Sequence, residues 1–348
     1  METTSFKKSW LEWIWDTFCL VSIIGIYPRF IEPNLIFTLK ATVPLPNLPQ
    51  GLDGLTIAHL SDLHFNHYSS PRFFKRLQKK VLNLNPDLIL ISGDLLTYAQ
   101  FSQKEIANNF FKNLRAKFGI FACLGNHDYD QYATLDSSGG VIYGQPDCHP
   151  LIQGLRRLFG RVKSEKNPAP RSPHPELIEF YQSLGIIPLH NETTQIGEPH
   201  QCLNLTGLGD PMTGNFKPEQ AFHEWKKDFP TLVLAHSPET YFHLSPYPGD
   251  IYFFGHTHGG QVNVPFIGTR LLGTNHTFKS GMYTHNGQTI FVSRGLGSTF
   301  PFRLFAPPQL GLITLVRGGP IREPIRAVNL FEPVSPDISL ATPRASEQ

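Results

Sequence analysis

Short apolar runs in this chain end, one after another, in compact polar clusters. Leu55–Ser61 leads into Asp62-Leu-His64, Asp87–Ser92 into Gly93-Asp94, and Gly119–Leu124 into Gly125-Asn-His-Asp128. Further along, Thr231–Ala235 ends at His236 and Asp250–Phe254 ends at Gly255-His-Thr-His258. Runs this short and this apolar read as strands buried on both faces. Between the first three lie Pro71–Leu84 and Gln103–Phe118, which read as helices, with Pro71 suited to a first turn. The opening half is therefore β-α-β-α-β, and in such sheets ligands gather outside the carboxyl ends of the strands. Every cluster falls at such an end.

The remaining pattern is less regular. A helix is expected after Glu176, short strands near Ile187–His190 and Cys202–Leu205, a helix over Pro218–Phe229, and closing strands at Gln288–Ser293 and Leu310–Val316. The main domain thus spans 55–316. Residues 131–175 interrupt it with Gly, Pro and basic residues. Within them Leu151–Lys163 places apolar residues at 151, 155, 158 and 162 and Arg156, Arg157, Arg161 and Lys163 on other faces. This is a basic amphipathic helix in an inserted, cap-like segment. The tail, 317–348, is rich in Pro and polar residues and reads as disordered.

The N-terminal part has a different character. Trp10, Trp13 and Trp15 are residue types that collect at a membrane–water boundary. The uninterrupted apolar run from Thr17 to Tyr27 is shorter than the ~20 residues that span a bilayer. It lacks a small-residue cleavage site, so 1–30 reads as an uncleaved anchor lying in the interface or dipping into the bilayer. Prolines at 28, 33, 44, 46 and 49 then make 31–54 an extended linker or edge. The formal net charge of +2 offers no field for coating nucleic acid, and no such partner is expected. The four cysteines form no CxxC pair, which suits a reducing compartment and the cytoplasmic face of a bacterial inner membrane.

The clusters supply Asp62, Asp94 and Asp128, one carboxamide from Asn126, and imidazoles from His64, His127, His236, His256 and His258. Side chains two apart on an extended segment share a face, so Asp62 and His64 can serve one metal ion. His256 and His258 have the same spacing. A carboxylate such as Asp94 has two oxygens and can bridge. Mixed nitrogen and oxygen donors without thiolate suit Mn, Fe or Zn. Two adjacent ions suit in-line hydrolysis at phosphorus above other reactions.

The order Asp-x-His, Gly-Asp, Gly-Asn-His-Asp, His, Gly-His-x-His resembles the calcineurin-like metallophosphoesterases. The resemblance implies a four-layer αββα sandwich. It implies that Asp62, His64, Asp94 and His258 hold one divalent ion, and that Asp94, Asn126, His236 and His256 hold a second, with manganese favoured. His127 would be the non-ligand histidine that meets the phosphate and aids the leaving group. One departure stands out: where the protein-phosphatase branch has Gly-Asp-x-x-Asp, with the last Asp orienting that histidine, this chain has Thr97.

Pro28-Arg-Phe-Ile-Glu-Pro33, Gly259-Gly-Gln-Val262 with Pro265-Phe-Ile-Gly268, Ser293-Arg-Gly-Leu-Gly297 and Arg303-Leu-Phe-Ala-Pro-Pro308 look like a membrane-linked bacterial branch. Its chlamydial-type members are the UDP-2,3-diacylglucosamine pyrophosphatases of lipid A synthesis. That likeness implies a nucleotide–lipid substrate, met at a membrane surface and cleaved to UMP and a lipid monophosphate. Arg156, Arg157, Arg161, Arg294 and Arg303 are the candidate substrate contacts. The alternatives are a broader membrane-associated phosphodiesterase on phospholipids or nucleotides and, in a different class, a non-catalytic scaffold, which has no need of seven ligands and a spare histidine.

Overall fold

The computed structural model describes residues 10–135, 140–143, 169–263 and 277–318. Two six-stranded mixed sheets carry the fold. The first is ordered β1 (Phe37–Leu45), β14 (Gln309–Arg317), β2 (Thr56–Leu60), β3 (Leu88–Ser92), β4 (Ile120–Cys123) and β7 (Ile186–Pro188). The second is ordered β12 (Gly281–His285), β13 (Gln288–Val292), β11 (Ile251–Phe254), β10 (Thr231–Leu234), β9 (Gln201–Gly207) and β8 (Glu192–Glu198). β2, β3, β4 and β7 run parallel, as do β13, β11, β10 and β9. A hairpin of β5 (Ala133–Leu135) and β6 (Val141–Tyr143) follows the third polar cluster.

The two sheets share a core. Ile57, Leu88, Leu90 and Phe121 from the first meet Leu205, Leu232, Leu234, Phe253 and Phe291 from the second. The opposite face of the first sheet packs Ala58, Leu60, Ile89 and Ile91 against α2 (Pro71–Leu84), α3 (Lys104–Phe111) and α4 (Pro175–Ser183) through Phe74, Phe110, Phe111 and Tyr181. Val233, Tyr252, Phe254 and Ile290 on the outer face of the second sheet meet Ala221, Tyr241 and Leu244. Strands covered on both faces explain why their sequences are unbroken apolar runs.

His59 joins the sheets from inside. Its ring lies 5.3 Å from that of Phe253 and 5.1 Å from that of Phe291, and its Nε2 is 2.8 Å from Ser92 Oγ. Burial pushes the imidazole down to about 3. Below the unfolded-state pKa near 6.5 the unfolded chain binds a proton that the folded protein refuses. Stability present above that pH is therefore lost as the pH falls toward 3, and about 2 kcal/mol should go by pH 5. Urea midpoints at pH 7.5 and 5 check this: His59→Phe should lose less than the wild type by roughly that amount, and equal losses would contradict the assignment.

Two helices are shorter than the sequence suggests. The helix expected over Gln103–Phe118 stops at Phe111. Gln78 Nε2 from α2 donates to the carbonyls of Asn109 and Phe110, taking acceptors that further helical turns would need. The helix expected over Pro218–Phe229 covers only Pro218–Ala221. The rest is tied to the second sheet: Asn204 Nδ2 donates to Lys226 O and Phe229 O, and Trp225 Nε1 donates to Thr231 Oγ1.

The N-terminal segment is longer than its apolar run. The chain is helical over Trp10–Val21 and continues with wider turns over Ser22–Ile31, straight through Pro28. A wider turn accommodates a proline that an ordinary α-turn would exclude. Trp13–Asn34, 22 residues, is long and apolar enough to cross a membrane by length and composition. Its far end is clamped to the domain. Glu32, 1% exposed, accepts the backbone N–H groups of Phe305 and Ala306, and Pro28 O accepts from Arg303 N. Phe37–Leu45, within the stretch read as an extended linker or edge, is the edge strand β1, parallel to β14. The basic helix expected at 151–163, with Arg156, Arg157 and Arg161, lies outside the described residues, as does the tail beyond Gly318.

Candidate metal centre

The loops leaving β2 and β3 run side by side. Asp62 N donates to Gly93 O at 3.0 Å and His64 N to Asp94 O at 3.0 Å, which sets the first two clusters against each other. The sharing of a site by Asp62 and His64 does not come from strand alternation, as the sequence reading supposed. Their φ angles are 51° and 44°, in the left-handed region, so the segment is not extended. Asp94, His256 and His258 are left-handed too, at 55°, 68° and 51°. Such residues cost ~1–3 kcal/mol each and persist where the surroundings over-determine them, which is typical of working sites.

The side chains converge. His258 Nε2 lies 3.2 Å from His64 Nε2 and 3.5 Å from Asp62 Oδ1. His256 Nδ1 lies 3.2 Å from His236 Nε2. Between the two groups sits Asp94, whose Oδ2 is 3.1 Å from His236 Nε2 and 3.6 Å from His64 Nε2. Three overlapping sets emerge: Asp62 with His64 and His258; His64 with Asp94 and His127; Asp94 with His236 and His256. Gly125, next to Asn126 in the chain, lies against the cluster: an added Cβ there would collide with Asp94 Oδ1 and touch the His236 ring. Gly255 is equally constrained, since a Cβ there would strike Ser61 Oγ and Asp62.

The donor set fits a pair of divalent cations on three counts. Asn126 Oδ1 is buried with no partner, while its Nδ2 donates to Ala133 O at 2.6 Å, so the oxygen is the atom left for a cation. Backbone carbonyls fix two imidazoles: His64 Nδ1 donates to Leu96 O at 2.9 Å and His236 Nδ1 to Ser92 O at 2.7 Å. Each ring then presents Nε2 to the site, the usual outer support of a ligating histidine. Finally, the charge balance is that of carboxylates wrapped in imidazoles. Burial alone would raise the Asp94 carboxyl, but His236, His127 and His64 outweigh it and hold it well below the usual range. Burial opposes charge on His236, yet Asp94 and Asp62 raise it well above the ordinary imidazole value, so without a metal ion a proton takes the cation's place and must leave for Nε2 to ligate.

His127 is different. Its Nδ1 accepts the backbone N–H of Tyr98 at 2.8 Å, so the neutral ring carries its proton on Nε2. Burial, then His64, His236 and His256, against Asp94, pushes it down to about 3, which keeps it neutral at ordinary pH. The ring is boxed by His64 at 4.9 Å and Tyr132 at 4.3 Å between centroids. Thr97 does not orient it: Thr97 Oγ1 lies 3.4 Å from His64 Nδ1 and accepts from Asn66 at 3.3 Å. Asp128, whose role the sequence leaves open, is a clamp on the loops. Its two oxygens accept Leu96 N at 2.9 Å and Gly125 N at 3.0 Å, and burial with Asp94 nearby raises it to about 7.

Of the candidate substrate contacts, Arg303 is nearly fully buried. It donates to the carbonyls of Arg294, Ala306 and Gly297, with one nitrogen 3.4 Å from His258 Nδ1. Arg294 is buried and lies 3.4 Å from Ser280 Oγ. Sequence reading missed Ser61, which donates to Asp62, and Ser92, which ties Ser61 to His59. Both are serines flanking strand ends, a pattern too common to single out alone.

Residues 55–260 match the model of the calcineurin-like phosphoesterase family. The chain is a calcineurin-like phosphoesterase. As such it is a metal-dependent hydrolase of phosphoric esters, and its His/Asp cluster is one suited to divalent ions. This phosphoesterase is 30% identical over 327 residues to the UDP-2,3-diacylglucosamine pyrophosphatase LpxG of Chlamydia trachomatis, covering 89% of this chain and 95% of that one. The Chlamydia muridarum LpxG is 31% identical over 301 residues, covering 82% of this chain and 91% of its own. Phosphodiesterase YaeI of Escherichia coli is 28% identical over 261 residues, covering 75% and 82% respectively.

Proposed function

We propose that this phosphoesterase cleaves the diphosphate of UDP-2,3-diacylglucosamine, releasing UMP and the lipid monophosphate, at the cytoplasmic face of a bacterial inner membrane. The observation that carries the reading is the likeness to both LpxG proteins over nearly the whole length of each. The helix supports it further. Trp10, Trp13, Trp15, Phe18, Ile23 and Phe30 are exposed, an apolar surface suited to lipid, while Glu32 ties its far end to the catalytic domain. The wider reading, a membrane-associated phosphodiesterase on phospholipids or nucleotides, draws on YaeI.

In this reading the fold is a four-layer αββα sandwich. Asp62, His64, Asp94 and His258 hold one ion, and Asp94, Asn126, His236 and His256 hold the other, with manganese favoured over iron or zinc. When bound, two divalent cations supply an acidified water and offset charge on the phosphoryl oxygens. The chain contributes position and a proton. His127 aims an Nε2 proton, held there by the Tyr98 N–H, at the phosphoryl or departing oxygen. The clamped loops keep the donors converged without rearrangement, which is what makes such charge stabilisation effective.

The test is release of UMP from UDP-2,3-diacylglucosamine by the manganese-supplemented full chain, run beside bis-p-nitrophenyl phosphate. Turnover of the nucleotide lipid at a kcat/KM at least ~100-fold above the soluble ester is expected, since each acyl methylene that finds cover contributes about 0.8 kcal/mol. Equal rates on the two would favour the broader phosphodiesterase. Hydrolysis of the ester alone would remove the nucleotide lipid.

A further inference from the structure

A pocket of about 210 Å³ lies between the end of the N-terminal helix and the loops that carry the metal ligands. His64, Arg29 and Phe30 all line it. The pocket therefore runs from the candidate metal centre to the helix whose exposed face is suited to lipid. Ser70, the N-cap of α2, and Ser69 just before it also border it, where the helix dipole favours negative charge.

Two arginines line this space, and they differ. Arg303 has its guanidinium engaged by the carbonyls of Arg294, Ala306 and Gly297. Arg29 makes no hydrogen bond or ion pair among the described residues. Its guanidinium stands over three rings instead, 5.0 Å from the centroid of Phe30, 5.9 Å from Tyr68 and 5.8 Å from Phe300. The aromatic faces hold the cation in place and leave its N–H fork unspent. A half-buried guanidinium with no counter-ion among the described residues, in a pocket that His64 also lines, suits a second anionic group beside the one held at the metals.

We infer that this pocket seats the lipid-phosphate half of an amphiphilic diphosphate. Arg29 binds the phosphate next to the one at the metal ligands, and the apolar part runs out along Phe30 toward the membrane-facing side of the helix. Arg29 is thus a specificity-determining residue for diphosphates over monophosphates. The inference rests on the proposed cleavage of a nucleotide–lipid diphosphate for the direction in which the substrate lies.

The experiment measures inhibition of bis-p-nitrophenyl phosphate hydrolysis by the manganese-loaded full chain. The probes are inorganic phosphate, dodecyl phosphate and dodecyl diphosphate. In the wild type, dodecyl diphosphate should bind at least ~10-fold more tightly than dodecyl phosphate, as expected for an added bidentate guanidinium contact. Arg29→Gln should remove that preference while the constant for inorganic phosphate moves less than about twofold, and Arg29→Lys should keep part of it. Ser298 also lines the pocket, and Ser298→Trp, which fills it, should weaken both alkyl ligands and spare inorganic phosphate. A diphosphate preference that survives Arg29→Gln, a variant that shifts all three probes equally, or alkyl binding untouched by Ser298→Trp would each overturn the inference. UMP release is read separately. The probe pattern without UMP release keeps the pocket and removes the nucleotide lipid, and UMP release without the pattern does the reverse.

Discussion

Replacing Asp94 by alanine is expected to empty both metal sites and to abolish turnover on every phosphoric ester. Asp94 Oδ2 lies 3.1 Å from His236 Nε2 and 3.6 Å from His64 Nε2, one ring from each half of the cluster. Its Oδ1 accepts the His127 N–H at 3.0 Å, so the same carboxylate also sets the loop that carries Asn126 and His127. Alanine removes a shared charge and a shared oxygen together. Ions held by Asp94 would supply several kcal/mol of charge stabilisation, so without it, at 1.36 kcal/mol per decade, the rate should fall at least ~1,000-fold. Elemental analysis of the purified variant beside the wild type is the check. Asp94→Asn, which keeps the shape and the acceptor for His127 N–H, separates metal loss from loop disorder. Normal metal content in Asp94→Ala would exclude the bridge.

His127→Ala should stop turnover by a different route and leave the metals in place. No carbonyl or carboxylate fixes this ring as a ligand; its Nδ1 is already spent on Tyr98 N–H. The hydrogen bond from Nε2–H is what the neutral ring can offer, and one positioned donor to developing charge is worth ~100- to 1,000-fold. Such donation matters most when the leaving oxygen is basic, so the loss should be large on an alkyl phosphodiester and smaller on an activated nitrophenyl ester. The variant also leaves Tyr98 N–H without its acceptor, at about 1 kcal/mol of stability. Metal analysis with kcat on both substrates reads the distinction. Loss of metal, or equal losses on the two leaving groups, would place His127 among the ligands or the scaffold.

The strand ends were legible because strands covered on both faces leave an unmistakable apolar run, and a polar cluster after it has to sit in a loop. The first sheet's β2, β3 and β4 and the second's β10 and β11 were readable for that reason. Their loop geometry was not. Asp62 and His64 meet through left-handed backbone and the carbonyls of Gly93 and Asp94, a path that residue types do not announce. Nor does a carboxylate show in sequence what it will face: Asp94 stands among the imidazoles of a cluster suited to a metal ion, and Asp128 clamps two N–H groups. The support of His127 was hidden for the same reason, since its partner is a main-chain N–H and not the side chain at Thr97. Edge strand β1 was obscured by Pro44, which an edge position tolerates because one side of the strand needs no donor. The short helices at Lys104–Phe111 and Pro218–Ala221 end where Gln78 and Asn204, distant in sequence, take their carbonyls or those beyond them.

The central claim is that one cluster holds two ions and needs both. Metal-stripped full chain titrated with Mn²⁺, with hydrolysis of bis-p-nitrophenyl phosphate followed at each addition, tests it most directly. Activity should rise to its maximum at two bound ions per chain and be absent from the metal-free protein. Full activity at one bound ion, or any turnover by the stripped protein, would contradict the account.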